Sequence, residues 1–255
     1  MAIDFSAPKN ARTYSGREAH DSWAAAMGGL VDPSGCDVVD VGCGGGIYTR
    51  GWLTLGAASV TGVDASASIL AAAADEADDG RATFVLGDAS ATGLPENCAD
   101  VVFSRALVHH LQDVSAFAAE AVRIARPGGR IIIQDRTMED VAQPPSAQHI
   151  RGYFLALFPR LAEVERIRRP DAQGMVQALR ATGSSRVESH QLWEVRAIHE
   201  TRDNLLADIR ARKGRSILHE LDDDELESLI AHLEHELPSS SIQETDRWTL
   251  WTAQL

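Results

Sequence analysis

The sequence predicts an α/β fold: a mostly parallel, doubly wound sheet with helices on both faces. Three observations predict it. From Val38 to Asp135, short β-type runs alternate with helical stretches across short loops, the pattern of consecutive βαβ units. Runs such as Val38–Val41 and Ile131–Ile133 are almost continuously apolar, as strands covered on both faces are. Four glycines then crowd the five residues from Gly42 to Gly46, directly after the first run. An open parallel sheet places its ligand loop there.

The elements follow in order. VVDV (38–41) is the first strand, and Ile47 to Leu55 the first helix of the alternation. SVTGVD (59–64) is the second strand, followed by a helix over Ser66 to Glu76 that contains the alanine tract Ala71–Ala74. TFVLGD (83–88) and DVVFSR (100–105) are the third and fourth strands. The next helix, Val114 to Arg126, has Asp113 as N-cap and is stopped by Pro127-Gly128-Gly129; RIIIQD (130–135) is the fifth strand. Beyond Asp135 the regularity breaks. Gln143-Pro144-Pro145 opens a stretch to Arg169 in which Tyr153, Phe154, Leu157, Phe158 and Leu161 recur at helical spacing. A helix over Ala172–Ala181, a strand over Arg186–Ile198 and a charged helical pair (Thr201–Lys213, Asp222–Leu237) come next. The last run, DRWTLWTAQ, alternates like a strand.

Composition narrows the function classes. The chain has 255 residues, 44% hydrophobic and 24% charged, enough to bury a sizeable core in one large domain. A formal net charge of -13, with arginines interleaved among acids, argues against nucleic acid and against an anionic membrane surface as partners. Cys36, Cys43 and Cys98 form no CxxC pair and are odd in number, which fits a reducing, cytoplasmic setting. The start, MAIDFSAPKNARTY, is too polar for a signal peptide, and no apolar run approaches the roughly 18 residues of a membrane span.

The glycine loop has three candidate ligands: a phosphate, a dinucleotide or an adenosyl group. The dinucleotide pattern needs a third glycine or alanine where Ile47 stands, and no Lys-Ser or Lys-Thr follows for a phosphate loop. The acids downstream separate the remaining choices. Asp64 ends the second strand about 20 residues past the glycines, where a carboxylate can take both hydroxyls of a ribose. Asp88 ends the third strand and can accept a bond from an adenine amine, while Asp40 lies just before the glycines and can attract an ammonium group. Each acid alone reads as a turn or cap residue. Three at one edge of three consecutive strands repel a pyrophosphate and favour a cationic, phosphate-free ligand.

In order and spacing, VVDVGCGGG, GVDAS, LGDAS, DVVFSRALVHHL and RPGGRIIIQD resemble the motifs of class I S-adenosylmethionine-dependent methyltransferases, over about Asp37 to Asp135. The HHL and RPGGR segments look most like the small-molecule branch related to the ubiquinone and menaquinone C-methyltransferases. The resemblance implies a Rossmann-like, seven-stranded sheet with an antiparallel last strand and helical cap insertions. It implies one methyltransferase domain over 1–255: an N-terminal helical lid (1–30), a cofactor-binding core (31–139), cap insertions (140–170 and 199–238) and sheet-completing strands (171–198 and 239–255). It implies S-adenosylmethionine as cofactor, with Asp40, Gly42 and Gly44 at its methionine part and Asp64 on the ribose. Ala65 is then expected beside the adenine, Asp88 and Ala89 at its amine edge, Ser104 and Arg105 near the sulfonium, and Tyr14 closing over the methionine end.

Methyl transfer is an in-line displacement on carbon already activated by a sulfonium, so positioning is the protein's main contribution. A base is needed only where the nucleophile carries a proton that must leave. His109 and His110, just past the fourth strand, are the candidates for that base; lining the pocket, or capping the helix that follows, is the other reading of the pair. His149 and Tyr153, in QHIRGY, are candidate substrate contacts, and the surrounding aromatics suit an apolar or aromatic small-molecule acceptor at C, N or O. Trp193, Trp248 and Trp251 are expected as sheet packing. His232 and His235 fit no metalloprotease pattern, and Asp135 is followed by Arg136 rather than by a metal-binding partner, so no metal requirement is expected. Two other classes compete: a non-catalytic S-adenosylmethionine-binding or regulatory protein, and a nicotinamide oxidoreductase, the latter disfavoured by Ile47 and Asp88.

Overall fold

A computed structural model describes residues 18–77 and 79–255. Seven strands form one sheet. β1 (Asp37–Val41) lies between β2 (Ser59–Asp64) and β4 (Ala99–Arg105), with β3 (Ala82–Leu86) outside β2 and β5 (Ala125–Asp135) beside β4. β7 (Ile242–Gln254) and β6 (Ser185–His199) extend the other edge, in the order β3-β2-β1-β4-β5-β7-β6. The pairs β1–β2, β2–β3, β1–β4 and β4–β5 are parallel, and β7 runs antiparallel to β5. Strand order reverses between β1 and β4. In open α/β sheets the ligand crevice lies at the carboxyl ends of the strands at such a reversal.

The chain divides into two compact units. The sheet unit runs through Asp135 and adds Pro170–Leu192 and Thr249–Leu255. Its strands alternate strictly between two cores, because successive side chains point to opposite faces. Val38, Val60, Val101, Ile132 and Leu250 pack with Trp23 and Met27 of α1 (Asp21–Leu30) and Trp52 of α2 (Ile47–Thr54). Val39, Val102, Ile131, Ile133 and Trp251 pack on the opposite face, with Phe117, Ala121 and Ile124 of α4 (Val114–Ile124) and Met175 and Leu179 of α8 (Ala172–Ala181). Trp23 meets Trp52 edge-on at 5.4 Å between ring centroids, and both meet Phe103 at 5.7 and 5.4 Å. A Cβ on Gly51 of α2 would lie 2.8 Å from the Trp23 ring, so glycine there sets how closely α1 and α2 approach. α3 (Ala67–Asp75) follows β2.

The helical unit comprises Arg136–Arg169 and Trp193–Trp248. It has its own apolar core from α6 (Arg151–Leu157), α7 (Arg160–Arg168), α9 (Arg202–Arg210) and α10 (Asp223–Glu236), with Tyr153, Phe154, Leu161, Leu205, Leu229 and Leu233 at its centre. α5 (Met138–Val141) is a single turn closed by a capping box between Thr137 and Asp140. Beside the apolar core lies a buried ion network. Asp246 takes Arg136 at 3.0 Å and Arg151 and Arg196 at 3.5 Å, and Glu165 takes Arg151 at 3.2 Å. Glu244 takes Arg215, His199 and Arg196.

Several details differ from expectation, the first because strand pairing overrides local helical preference. α4 ends at Ile124, not Arg126, and β5 begins at Ala125 because Ala99 pairs with Ala125 before the register shifts to Val101 opposite Arg130. The shift absorbs Arg126–Gly129, with Gly128 at φ +80°. β3 ends at Leu86; Asp88 stands beyond it in an isolated bridge to Ala91. Trp193 packs its ring on His149 but is 46% exposed, so of the three tryptophans only Trp248 and Trp251 are core.

Candidate active site

The glycine loop leaves β1 with its backbone committed to β2. The amides of Gly42 and Cys43 both donate to the Val63 carbonyl, at 2.7 and 3.0 Å. Gly42, Gly44 and Gly46 have φ of +75°, +51° and +73°, the left-handed region that glycine enters without steric cost. A Cβ at Gly42 would lie 2.9 Å from Leu107 Cδ1, whereas one at Gly44 would meet nothing within 4 Å. The loop is thus packed on one side, by the segment after β4, and open at its middle. Gly46 is the N-cap of α2, so the first amides of that helix adjoin the loop.

Two carboxylates, Asp64 and Asp40, adjoin this loop. Asp64, at the end of β2, accepts the Gly44 amide at 3.0 Å on Oδ2 and the Ser66 amide at 2.9 Å on Oδ1. Asp40 is 2% exposed and accepts the Thr49 hydroxyl at 2.8 Å. Burial pushes its carboxyl up to about 7; the Thr49 bond opposes that shift, as does the Arg105 charge, while the Asp64 charge adds to it. A buried acid in that state gains from a cation placed beside it. Asp88, past the end of β3, is exposed and held below the usual carboxylate range by the Ser90 hydroxyl and amide, at 2.5 and 2.8 Å. Ala89 beside it is buried.

At the end of β4, Ser104 is 1% exposed and its hydroxyl has no hydrogen-bond partner, while the Arg105 guanidinium lies 4.4 Å over the Tyr48 ring. The strand leads through Ala106, at φ +54° with its amide donating to the Gln134 carbonyl at 2.9 Å, into a 3₁₀ turn over Val108–His110. His109 and His110 stack with ring centroids 4.0 Å apart. The His109 ring Nδ1 lies 3.0 and 2.9 Å from the two carboxylate oxygens of Asp135, and the His109 amide donates to Asp135 Oδ2 at 3.2 Å. Asp135 ends β5 and is completely buried.

The arrangement combines a glycine loop open at its middle, acids at the ends of β1, β2 and β3, and a buried carboxyl short of a cation. Its donor set suits an adenosyl sulfonium carrying an ammonium group better than a phosphate.

The comparisons agree. Residues 39–133 match the family described as a methyltransferase domain. The chain is 35% identical over 123 residues to the 2-methyl-6-phytyl-1,4-hydroquinone methyltransferase of Synechocystis sp., covering 48% of this chain and 39% of that protein. It is 33% identical over 113 residues to the malonyl-[acyl-carrier protein] O-methyltransferase of Pectobacterium atrosepticum, covering 43% and 44%. Over that stretch the chain is thus similar to methyltransferases. The chain spans about two-fifths of the length of these curated relatives.

The whole fold is shared with solved structures. A protein of Anabaena variabilis assigned as a methyltransferase of antibiotic biosynthesis superposes with a TM-score of 0.69 at 20% identity, over 92% of this chain and 98% of that one. The phosphoethanolamine N-methyltransferase 2 of Haemonchus contortus, complexed with S-adenosylhomocysteine, superposes at 0.62 and 16% identity, over 99% and 60%.

Within the matched stretch, the fold gathers Asp40, Gly42, Gly44 and Asp64 at one edge of the sheet, through the Gly44–Asp64 bond and the β1–β2 pairing. Ala65 is exposed beside them. Ser104, Arg105, His109 and His110 leave the neighbouring strand at the same edge. Tyr14 lies outside the described residues. His149 and Tyr153 belong to the helical unit. His149 is buried, with Nδ1 within 3.2 and 3.3 Å of the Gln143 and Pro144 carbonyls, and the Tyr153 ring meets His232 at 5.7 Å. Three residues were missed in the sequence: Thr49, Leu107 and Asp135. Only Asp135 carried a signal, since it ends its strand at the edge where Asp64 ends β2.

Among the described residues, no group of three or more His, Cys, Asp or Glu side chains is placed to hold a metal ion. None of their helices is long and apolar enough to cross a membrane.

Proposed function

We propose that the chain binds S-adenosylmethionine in this crevice and transfers its methyl group to a small, apolar or aromatic acceptor. The observation that carries the reading is a positive-φ glycine loop bonded to Asp64 at the end of β2 and preceded by the buried Asp40 of β1, with Asp88 just past β3. In this reading Asp40, Gly42 and Gly44 hold the methionine part, and Asp64 takes the ribose hydroxyls. Ala65, Asp88 and Ala89 border the adenine, and Ser104 and Arg105 lie toward the sulfonium. His109 and His110 face the acceptor. Tyr14 is proposed as a closing residue, and His149 and Tyr153 as acceptor contacts, on residue type alone. Acceptor choice is assigned to segments 140–170 and 199–238, which lie outside the stretch that matches the methyltransferase family.

Calorimetric titration with S-adenosylhomocysteine, with NAD⁺ as control, tests the cofactor assignment. Micromolar binding of S-adenosylhomocysteine alone, weakened at least about tenfold by Asp64→Ala, is expected. Binding of NAD⁺ instead, or of neither, overturns it. Release of S-adenosylhomocysteine in the presence of an acceptor separates an enzyme from a non-catalytic binder that keeps the pocket.

A further inference from the structure

We propose that Glu120 is a positioning residue that makes the cofactor site selective for adenine over a 6-oxopurine, by holding the segment after β3 against α4. The proposal rests on the S-adenosylmethionine reading above and deepens it by naming what fixes the base-reading carboxylate.

Asp88 stands on a segment that β3 itself does not hold. The strand ends at Leu86, and Asp88 lies beyond it in an exposed turn, its carbonyl accepting the Ala91 amide at 3.1 Å. Among the described residues, its side-chain bonds come from Ser90 and fall on Oδ1, which leaves Oδ2 to a ligand. The turn is closed from α4. A Cβ on Gly87 would lie 2.5 Å from the Thr92 carbonyl oxygen, so the chain doubles back tightly between these residues. Thr92 is completely buried, and Glu120 Oε1 accepts both its amide at 2.8 Å and its hydroxyl at 2.5 Å. That hydroxyl accepts the Leu94 amide at 3.2 Å. Arg123, one turn along α4, donates to both oxygens of Glu120 at 2.7 Å and to the Leu94 carbonyl at 2.8 Å. Two side chains of one helix thus anchor the segment that carries Asp88.

An apolar side chain at position 120 would pack against this segment without burying a charge. Glu120 is instead a carboxylate only 7% exposed. The Arg123 guanidinium holds its carboxyl down to about 2, with the Thr92 bonds adding to the shift and burial opposing it. The Thr92 amide therefore has an ionised acceptor, the stronger and more directional kind. Fixed placement matters most where one hydrogen bond tells two ligands apart. Adenine presents an amine at C6, and hypoxanthine presents a carbonyl oxygen there. An ionised carboxylate accepts from the first and repels the second. The bond weakens steeply once its geometry is lost, so a carboxylate free to swing into water discriminates little. The glycine loop and the Asp64 carboxylate are bonded to one another and to β2. Contacts with the methionine and ribose parts therefore do not pass through Glu120.

Calorimetric titration of the full chain with S-adenosylhomocysteine and with S-inosylhomocysteine, its 6-oxo counterpart, tests this. The wild type should prefer the adenosyl compound by at least about thirtyfold. Glu120→Ala should reduce that preference to under about fivefold, almost wholly by weakening the adenosyl compound. Glu120→Gln, whose side-chain oxygen still accepts from Thr92, should keep the preference within about threefold of wild type. Asp88→Ala should also abolish the preference, and adding Glu120→Ala to it should lower the ratio no further, because the two act through one carboxylate. If Glu120→Ala folds poorly, Thr92→Val, which removes the hydroxyl bond and keeps the shape, should give a ratio between those of wild type and Asp88→Ala. A merely structural Glu120 would weaken both compounds by the same factor, and that result overturns the proposal. So does a wild type that binds both compounds alike. Binding of neither by the wild type overturns the cofactor reading itself, and this proposal with it.

Discussion

Asp40 is the residue whose charge would separate the free protein from the proposed complex. Its carboxyl is pushed up to about 7 from an ordinary 3.8, so between those values the folded chain holds a proton that the unfolded chain has released. Folding stability contributed at this site is therefore highest below about pH 4 and declines as pH rises to 7, by on the order of 4 kcal/mol. In the proposed complex a ligand ammonium would offset that loss by pairing with the ionised form. Binding of S-adenosylhomocysteine should thus tighten from pH 6 to 8 and release a proton near pH 7. Calorimetry in two buffers of different ionisation enthalpy reads that proton, and identical heats in both would remove the argument. Asp40→Asn should abolish the pH dependence, raise the melting temperature of the free protein at pH 8 and weaken binding at least about tenfold. Asp40, Asp64 and Asp88 were legible in the sequence because each ends or adjoins a strand that is itself legible. The His109–Asp135 pair was not, because its partners lie 26 residues apart and only the β4–β5 pairing joins them.

At the scale of elements, small residues set the packing distances. Gly51→Ala would drive a methyl group into the Trp23 ring, so it should destabilise the protein by about 1–3 kcal/mol, read as a lower denaturant midpoint with an unchanged slope. An unchanged midpoint would mean that α1 shifts freely. Gly42→Ala combines a left-handed φ of +75° with a collision against Leu107 and should cost at least as much. Element positions were readable from local pattern wherever one strand or helix stands between clear breakers: β2 spans 59–64 and α8 spans 172–181, as the sequence indicated. Boundaries failed where a neighbour decides them. The pairing of Ala125 with Ala99 takes two residues from α4 and extends β5 by five, and no one-dimensional pattern carries that information. Arg136, Arg151 and Arg196, far apart in the sequence, converge on Asp246 only in space.

At the scale of the whole molecule, two cores rest on different forces. The sheet unit is held by apolar side chains on both faces, while the helical unit adds a buried ion network to its apolar core. In that network Glu244 is lowered to about 2 and Asp246 falls well below its usual range; for both, burial opposes the shift and the surrounding arginines outweigh it. For lowered acids the contribution to stability is complete above their unfolded values near 4 and is lost as pH falls toward 2. Glu120 of the sheet unit, paired with Arg123, follows the same rule, but Asp40 works in the opposite direction there. Amide hydrogen exchange at descending pH should therefore show α10 losing protection before α4; simultaneous loss would refute the division of forces. The three cysteines have a practical consequence. Cys43 is buried in the glycine loop with its thiol pushed up by burial, whereas Cys36 and Cys98 are only partly buried and immediately precede β1 and β4. Thiol-directed chemistry should thus attach a dye or a tether only at the end of the parallel strands opposite the crevice, so that molecules immobilised through those sulfurs present their ligand loop to the bulk solution.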